Sequence, residues 1–481
     1  MEKIERIPNI IIFVADEMRG DCVSLGGKRN HVIKTPNIDN LAKDGFAFTN
    51  CFTVNPVCVP SRIAVFTGQY AHSSGHRSLY QLLKTHEENL FKFLKDKGYE
   101  VIYIGRNDAF SKDAFEVSVS QRIPIKLSRK WKTNPFPKTH SLRKSFYYGE
   151  RTQEQAKDID YFITKKAIEY IGTLPKRPFC LFIGFNFPHP PYTIEEPYFS
   201  MYKRDQIPSP IPANLDDKPK FMQLIHKRYK LDKLNEDDFR EIIATYYGMI
   251  TRLDYQLGKI INKLKEIGEY DNSAIFFFSD HGDYAGNYGL SEKWPNAFQD
   301  CLINIPLVVK IPKIQITNKI FDQLIESIDI FPTIMELAEI ETKYTHFGQN
   351  LIPLLNGETK VHRDAVFAEG GYNVREPQCF EPVIKDPDAF GWGIYFDKTN
   401  IPKDNPSTVA RAAMIRTTSW KLIIRDIGKE ELYDLKNDSK ELNNLIDSSN
   451  HTKVKTELKE KLLRWYLKTS DNADWRRERL V

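Results

Sequence analysis

The sequence predicts an α/β sandwich: a large, mostly parallel or mixed sheet between helices, followed by a smaller C-terminal α+β domain. Three observations predict it. Five short apolar runs read as buried strands, helix-spaced apolar stripes separate them, and near residues 357–364 this alternation lapses into shorter strand-like runs.

The five runs are residues 9–15 (NIIIFVA), 99–104 (YEVIYI), 179–185 (FCLFIGF), 273–279 (SAIFFFS) and 306–311 (PLVVKI). Each is rich in β-branched or aromatic residues and bounded by polar, Gly or Pro signals, as expected for a buried parallel strand. The first helix should start at Thr35-Pro36, an N-cap followed by proline in the first turn. Ile38, Leu41 and Ala42 share its face, and Gly45 is placed to end it. Ala156, Ile159, Phe162, Ile163, Ile168 and Ile171 keep helical spacing, as does a longer stripe from Phe239 to Leu264. Residues 373–406, rich in Pro, Asp and aromatics, read as an irregular insertion. Short antiparallel strands are expected at 412–416, 421–424 and 431–435, with a final helix over 453–467. The expected division is 1–365 for the catalytic domain and 366–481 for the small one.

Composition narrows the function classes. The 481 residues carry 69 basic and 64 acidic side chains, a net charge of +5, too mild to point to nucleic acid or a membrane surface. The six cysteines are scattered without a CxxC pair, which argues against a zinc ribbon or a disulfide framework and favours reduced thiols. The apolar run 10–15 is too short for a signal or a span, so a cytoplasmic protein is expected.

In such a layout ligands bind at the carboxyl ends of the strands. Asp16 and Glu17 follow the first run, and Asp280 and His281 follow the fourth. Two acid-rich strand ends on one edge suit an oxygen-liganded divalent metal. Either cluster alone could merely cap a strand; together they are harder to dismiss.

Between them in the sequence lies Cys58-Val59-Pro60-Ser61-Arg62, followed by Thr67-Gly68. This segment resembles the signature of the formylglycine-dependent sulfatases, in the alkaline-phosphatase-like superfamily. Further segments extend the resemblance over most of the chain: VADEMRGDCVSLGG, TPNIDNLAKDG, the Pro-His stretch around His189, SDHGDYAGNYGLSEK ending at Lys293, FGQNLIPLLNG and ELYDLKNDSKELNNL. The resemblance implies that Cys58 is oxidised by a formylglycine-generating maturation enzyme. One hydroxyl of the hydrated aldehyde would attack sulfur in line and displace the alcohol. The second would let the covalent adduct collapse and expel sulfate. The metal, most simply Ca²⁺ with Mg²⁺ or Mn²⁺ as alternatives, would be held by Asp16, Glu17, Asp280, His281 and an oxygen of residue 58. Arg62 would fix the nucleophile's oxygen, Lys293 and Arg106 would bind sulfuryl oxygens, and His189 would protonate the leaving oxygen near neutrality.

Two positions depart from the family pattern. Gly105-Arg106-Asn107-Asp108 stands where many members have Gly-Lys-x-His, so either Asp108 is the base that regenerates the aldehyde, or another group such as His72 or His76 is, or turnover is slow. Glu17 stands where a second Asp is common, and the Asp280-His281 pair resembles the choline sulfatase and phosphonate monoester hydrolase branch. The expected activity is sulfuric-ester hydrolysis, with a sulfated saccharide as substrate and Trp392, Tyr395 and Phe396 as candidate walls of a sugar pocket. The alternatives are a phosphonate or phosphodiester hydrolase with the same nucleophile, and a non-catalytic binding protein on this scaffold.

Overall fold

The buried runs assemble into one twisted sheet. A computed structural model describes residues 7–125, 134–173, 178–312, 314, 318–376, 384–387, 389 and 393–472. The strand order from one edge is Lys319–Phe321, Phe46–Phe52, Asn304–Lys310, Ser273–Ser279, Asn9–Asp16, Phe179–Pro188, Glu100–Gly105 and Gln121–Ile123, with Ile325–Glu326 also pairing on Phe46–Phe52. Asn9–Asp16 lies centrally, parallel to both neighbours and buried at all eight positions. Its alternate residues feed two cores, as the period of two requires. Ile11, Phe13 and Ala15 pack with the helices Pro36–Lys43, Ile159–Ile171 and Glu236–Glu266. Ile10, Ile12 and Val14 pack with Cys58–Thr67, Leu90–Asp96 and Ile330–Leu337 on the other face.

One expected parallel strand runs the other way. Asn304–Lys310 is antiparallel to both Ser273–Ser279 and Phe46–Phe52. The preceding segment stays at the carboxyl edge and re-enters the sheet there through the short helix Asp300–Ile303. A fully buried apolar run has no polar face and reads alike in either direction. The first helix also starts differently. Thr35 makes no cap bond; its hydroxyl accepts from Ser24 N, and the Asp254 carboxylate takes the helix's Asn37 and Ile38 N–H groups. Gly45 follows the helix end at Asp44. What excludes a side chain at Gly45 is the neighbouring strand, whose Val309 oxygen would lie 2.2 Å from an added Cβ.

The small domain has a four-stranded antiparallel sheet, Val366–Gly370, Ala412–Arg416, Trp420–Arg425 and Glu431–Asp434 in that order. The helix Thr452–Thr469 covers it through Leu458, Leu462 and Trp465. Two of its elements were not expected. Val366–Gly370 is too short to carry a clear alternation. The helix Phe396–Asp404 lies in the stretch read as irregular and contains Pro402, ordinarily a helix breaker. Of the three aromatics noted there, Tyr395 is buried and Phe396 half-buried, while Trp392 lies outside the described residues. Five cysteines are free and buried; Cys379 also lies outside the described residues. No helix among the described residues is long and apolar enough to cross a membrane.

Candidate active site at the carboxyl edge of the sheet

The two central strands deliver the acids. The pairing of Asn9–Asp16 with Phe179–Pro188 shifts register between Val14 and Asp16, and the next residue, Glu17, has φ +73°. A non-glycine residue in that left-handed region is strained, and such strain persists where its surroundings hold it. The bulge turns Asp16 and Glu17 to different places. Asp280 and His281 end Ser273–Ser279 next door, and Asp280 Oδ1 accepts from the N–H groups of Glu17 (3.1 Å) and His281 (2.9 Å).

Cys58 is the first residue of the helix Cys58–Thr67, whose N-terminus has neither a side-chain cap nor an acid in its first turn. Its free N–H groups and positive dipole end therefore face the strand ends. Ser61 fixes this helix to the sheet by donating to the Asp280 carbonyl at 2.6 Å. Cys58 Sγ lies 3.7 Å from Asp16 Oδ1 and 3.2 Å from His281 Nε2. Candidate ligand atoms of Asp16, Cys58, Asp280 and His281 all lie within 4.8 Å of one another.

These residues fit a divalent cation. His281 Nδ1 is 2.9 Å from the Gly282 carbonyl, which can only accept; the proton sits on Nδ1 and the Nε2 lone pair faces the cluster. Burial, helped by the charge of Asp280, pushes Asp16 up to about 6 against the pull of Arg106 and Arg62. Burial also acts to raise Asp280, but His281, Arg62 and the Glu17 N–H together bring it down to about 2. Burial holds His281 down to about 4, in the neutral form that ligates metals. Burial and Asp16 push the Cys58 thiol well up, so an unmodified thiol here is a poor nucleophile.

The cations form two groups. Arg62 Nε lies 2.8 Å from Asp280 Oδ2, with its Nη atoms 3.3 Å from Asp16 and 3.4 Å from Asp108. Arg106 lies 2.5 Å from Asp16, 3.0 Å from Asp108 and 3.1 Å from the Asn186 side-chain oxygen. Asp108 thus ties the two guanidinium groups together. Lys293 Nζ lies 2.9 Å from both Glu17 Oε2 and Glu292 Oε1. Burial alone would lower Lys293, but Cys58, Glu17 and Glu292 carry it well above its usual value.

Glu17 is set apart from the Cys58 cluster. It groups instead with Asp16 and His189, whose Nε2 is 3.5 Å from Glu17 Oε2. His189 Nδ1 donates to the Pro190 carbonyl at 2.7 Å, so Nε2 is the nitrogen offered to the site. Burial, Lys293 and Arg106 push His189 well below its usual value, not to neutrality as the sequence suggested. The structure does not bring His72 or His76 here. His72 engages Glu369 and Thr469, and His76 engages the Gln81 carbonyl and Glu87.

Four supporting residues escaped sequence reading. Asp160 accepts from the N–H groups of Asn186 (2.7 Å) and Phe187 (2.8 Å) and so shapes the chain leading to His189. Asn186 steadies Arg106. Glu292 and Lys398 stand behind Lys293, with Lys398 Nζ 2.5 Å from Glu292 Oε2. Glu292, adjacent to Lys293, and Asn186, three residues before His189, carried a local signal.

Comparison with known proteins agrees with this geometry. The Sulfatase family model matches residues 8–340, and the model for the C-terminal region of N-sulphoglucosamine sulphohydrolase matches 376–468. A multifunctional alkaline phosphatase superfamily protein, PehA, of Trinickia caryophylli is 26% identical over 97% of this chain and 96% of its own. An arylsulfatase of Clostridium perfringens is 25% identical over 92% and 91%. The crystal structure of a phosphonate monoester hydrolase of Agrobacterium radiobacter superposes with a TM-score of 0.73 at 23% identity, covering 96% of both chains. With the signature cysteine at its helix N-terminus and the acids around it, the chain belongs to the sulfatase family of the alkaline-phosphatase-like superfamily and is a sulfuric-ester hydrolase, not a non-catalytic scaffold.

Proposed function

We propose that the protein releases inorganic sulfate from a sulfated saccharide, using formylglycine formed from Cys58 as its nucleophile. The observation that carries this reading is the buried helix N-terminus at Cys58, set within 4.8 Å of Asp16, Asp280 and His281 and flanked by Arg62, Arg106 and Lys293. A divalent cation, Ca²⁺ by resemblance, would be held by Asp16, Asp280, His281 and the oxygen of residue 58, and when bound supplies the positive charge that favours an ionised nucleophile. Glu17 is a weaker candidate ligand, since Lys293 already occupies one of its oxygens.

Arg62 orients the nucleophile's oxygen. Arg106 and Lys293 receive the sulfuryl oxygens, and His189 Nε2 delivers a proton to the leaving oxygen. Neutral in the free protein, His189 gains a proton more readily once a sulfate's negative charge offsets Lys293 and Arg106. Asp108, paired with Arg62 and Arg106, would take the proton that regenerates the aldehyde. The saccharide assignment is supported by the match of the C-terminal part to the sulphohydrolase model and by Tyr395, whose ring lies 6.4 Å from that of His189. We divide the chain at residues 1–365 and 366–481 and place it in the cytoplasm, a location consistent with its free cysteines.

The test is to co-express the chain with a formylglycine-generating enzyme, verify conversion by mass of the Cys58 peptide, and assay matched sulfate and phosphorus esters. Sulfate monoesters should turn over fastest. A phosphonate monoester preference would support the second reading, which His281 among the candidate ligands favours.

A further inference from the structure

A buried row of alternating charges, Glu17, Lys293, Glu292 and Lys398, runs from beside His189 into the small domain. His189 faces Glu17, Glu17 binds Lys293, Lys293 binds Glu292, and Glu292 binds Lys398, with successive separations of 3.5, 2.9, 2.9 and 2.5 Å. Lys398 comes from the helix Phe396–Asp404, 105 positions beyond Lys293, and its side chain is completely buried. An ammonium group loses its hydration in such a place and persists only where a partner replaces it.

The residue between the two lysines is built to transmit position. Glu292 has φ +64°, the left-handed region that favours glycine, yet carries a full side chain. That side chain folds back on its own backbone, with Oε2 accepting the Lys293 N–H at 2.7 Å and the Lys398 ammonium. Oε1 takes the Lys293 ammonium at 2.9 Å. The Glu292 N–H is itself held by Tyr192 Oη at 2.9 Å and Asp283 Oδ1 at 3.1 Å. One carboxylate thus fixes both the backbone and the head of Lys293, and Lys398 fixes the carboxylate. Tyr395, on the turn just before Lys398, sets its ring 5.7 Å from the Lys398 ammonium and near His189.

We propose that Lys398 is a positioning residue for the reaction, acting through Glu292 to hold Lys293 where an anionic substrate group meets it. The small domain thereby takes part in anion recognition without touching the anion. This rests on the assignment of Lys293 as a sulfuryl contact.

The test is a double-mutant cycle in formylglycine-bearing protein. Lys398→Met and Glu292→Gln are each made in the wild-type and Lys293→Ala backgrounds. The readouts are kcat and KM for an aryl sulfate, affinity for inorganic sulfate by calorimetry, and thermal midpoint. In the wild-type background each change should lower kcat/KM and sulfate affinity about 10- to 100-fold, as loss of a group supporting a first contact does. In the Lys293→Ala background neither should cause further loss, because the residue being positioned is gone. An undiminished loss in that background, or wild-type values for folded Lys398→Met protein, overturns the proposal. Should Lys398→Met fail to fold, Glu292→Gln decides alone. If the wild-type protein binds sulfate with this coupling yet turns over no sulfate ester, the positioning role stands and the sulfatase reading fails.

Discussion

Two buried clusters use nearly the same residue types and differ in how completely their polar atoms are hydrogen-bonded. Around Arg363, Asp329 accepts from Arg363 Nε (2.9 Å), His362 (3.0 Å), Gln349 N (2.7 Å) and Glu326 N (3.0 Å). Glu326 accepts from Tyr70 (2.5 Å) and Phe367 N (2.7 Å). Against the cost of burial these donors hold Asp329 well below the usual carboxylate range. Around Arg62, Asp16 faces Asp280 instead of a full set of donors and rises to about 6. The Arg62 Nη atoms and Asp108 Oδ2 lie in ion-pair range of charged neighbours but make no aligned hydrogen bond, and Glu17 Oε1 is buried without a hydrogen-bond partner. Both oxygens of Asp329 have donors, whereas the Arg62 cluster keeps buried polar atoms without a hydrogen bond. Unmet buried polarity, more than buried charge, distinguishes a site from a strut.

The contrast can be broken in four ways. Cys58→Ala should leave the thermal midpoint within a few degrees and reduce sulfate-ester turnover more than about 1,000-fold, since removing a nucleophile removes the covalent route. Residual turnover near wild type would exclude Cys58 as the nucleophile. Arg363→Ala should cost about 3–5 kcal/mol in urea unfolding, because it strands two buried carboxylates, with activity per folded molecule unchanged. A parallel loss of kcat would mean that this cluster also serves the site. Asp280→Asn should weaken Ca²⁺ binding and activity together, about 100-fold by calorimetry and initial rates, through loss of a charged ligand. Unchanged affinity would remove Asp280 from the ligand set.

The smallest effect is a pH dependence. Asp329 has a folded-state pKa below its unfolded value of about 3.8, so its stabilisation is complete above about pH 4 and declines as pH falls toward the folded value. The stability gap between wild type and Asp329→Asn should therefore be widest near neutrality and narrow between about pH 4 and pH 3. A gap that widens on acidification would reverse the sign assigned here.

Legibility in the sequence followed distance along the chain. The nucleophile segment could be read because its signature is contiguous, Cys58 to Arg62, and resembles a known family's. The acids could be read because each pair ends an apolar run that makes a strand. Strand direction could not: Asn304–Lys310 is apolar on both faces, and only its connection sets its sense. Gly45 was read as a helix terminator, but the carbonyl that excludes a side chain there belongs to a strand some 260 residues later. The support behind Lys293 was equally hidden, because Lys398 lies on a helix that Pro402 disguises. His189 was found through the resemblance of its Pro-His stretch, whereas its lowered basicity depends on burial and on Lys293 and Arg106, which only the fold brings about.

The segment between Ser279 and Asn304 opens with Asp280 and His281 and then runs against the small domain. Trp294 Nε1 donates to the Thr408 carbonyl at 2.8 Å, Asn296 donates to the Ala410 carbonyl at 2.8 Å, and Arg425 donates to the Asn296 carbonyl at 2.7 Å. Asp300 pairs with Lys421 at 2.6 Å and Arg416 at 3.0 Å. One stretch of backbone therefore serves the metal candidates at one end and docks a second sheet along the rest. Such a stretch cannot open locally while its partners stay closed. Amide protons across 280–303 and across the small sheet should exchange through a single shared opening, so that the chain loses its chemistry and its C-terminal structure in one event.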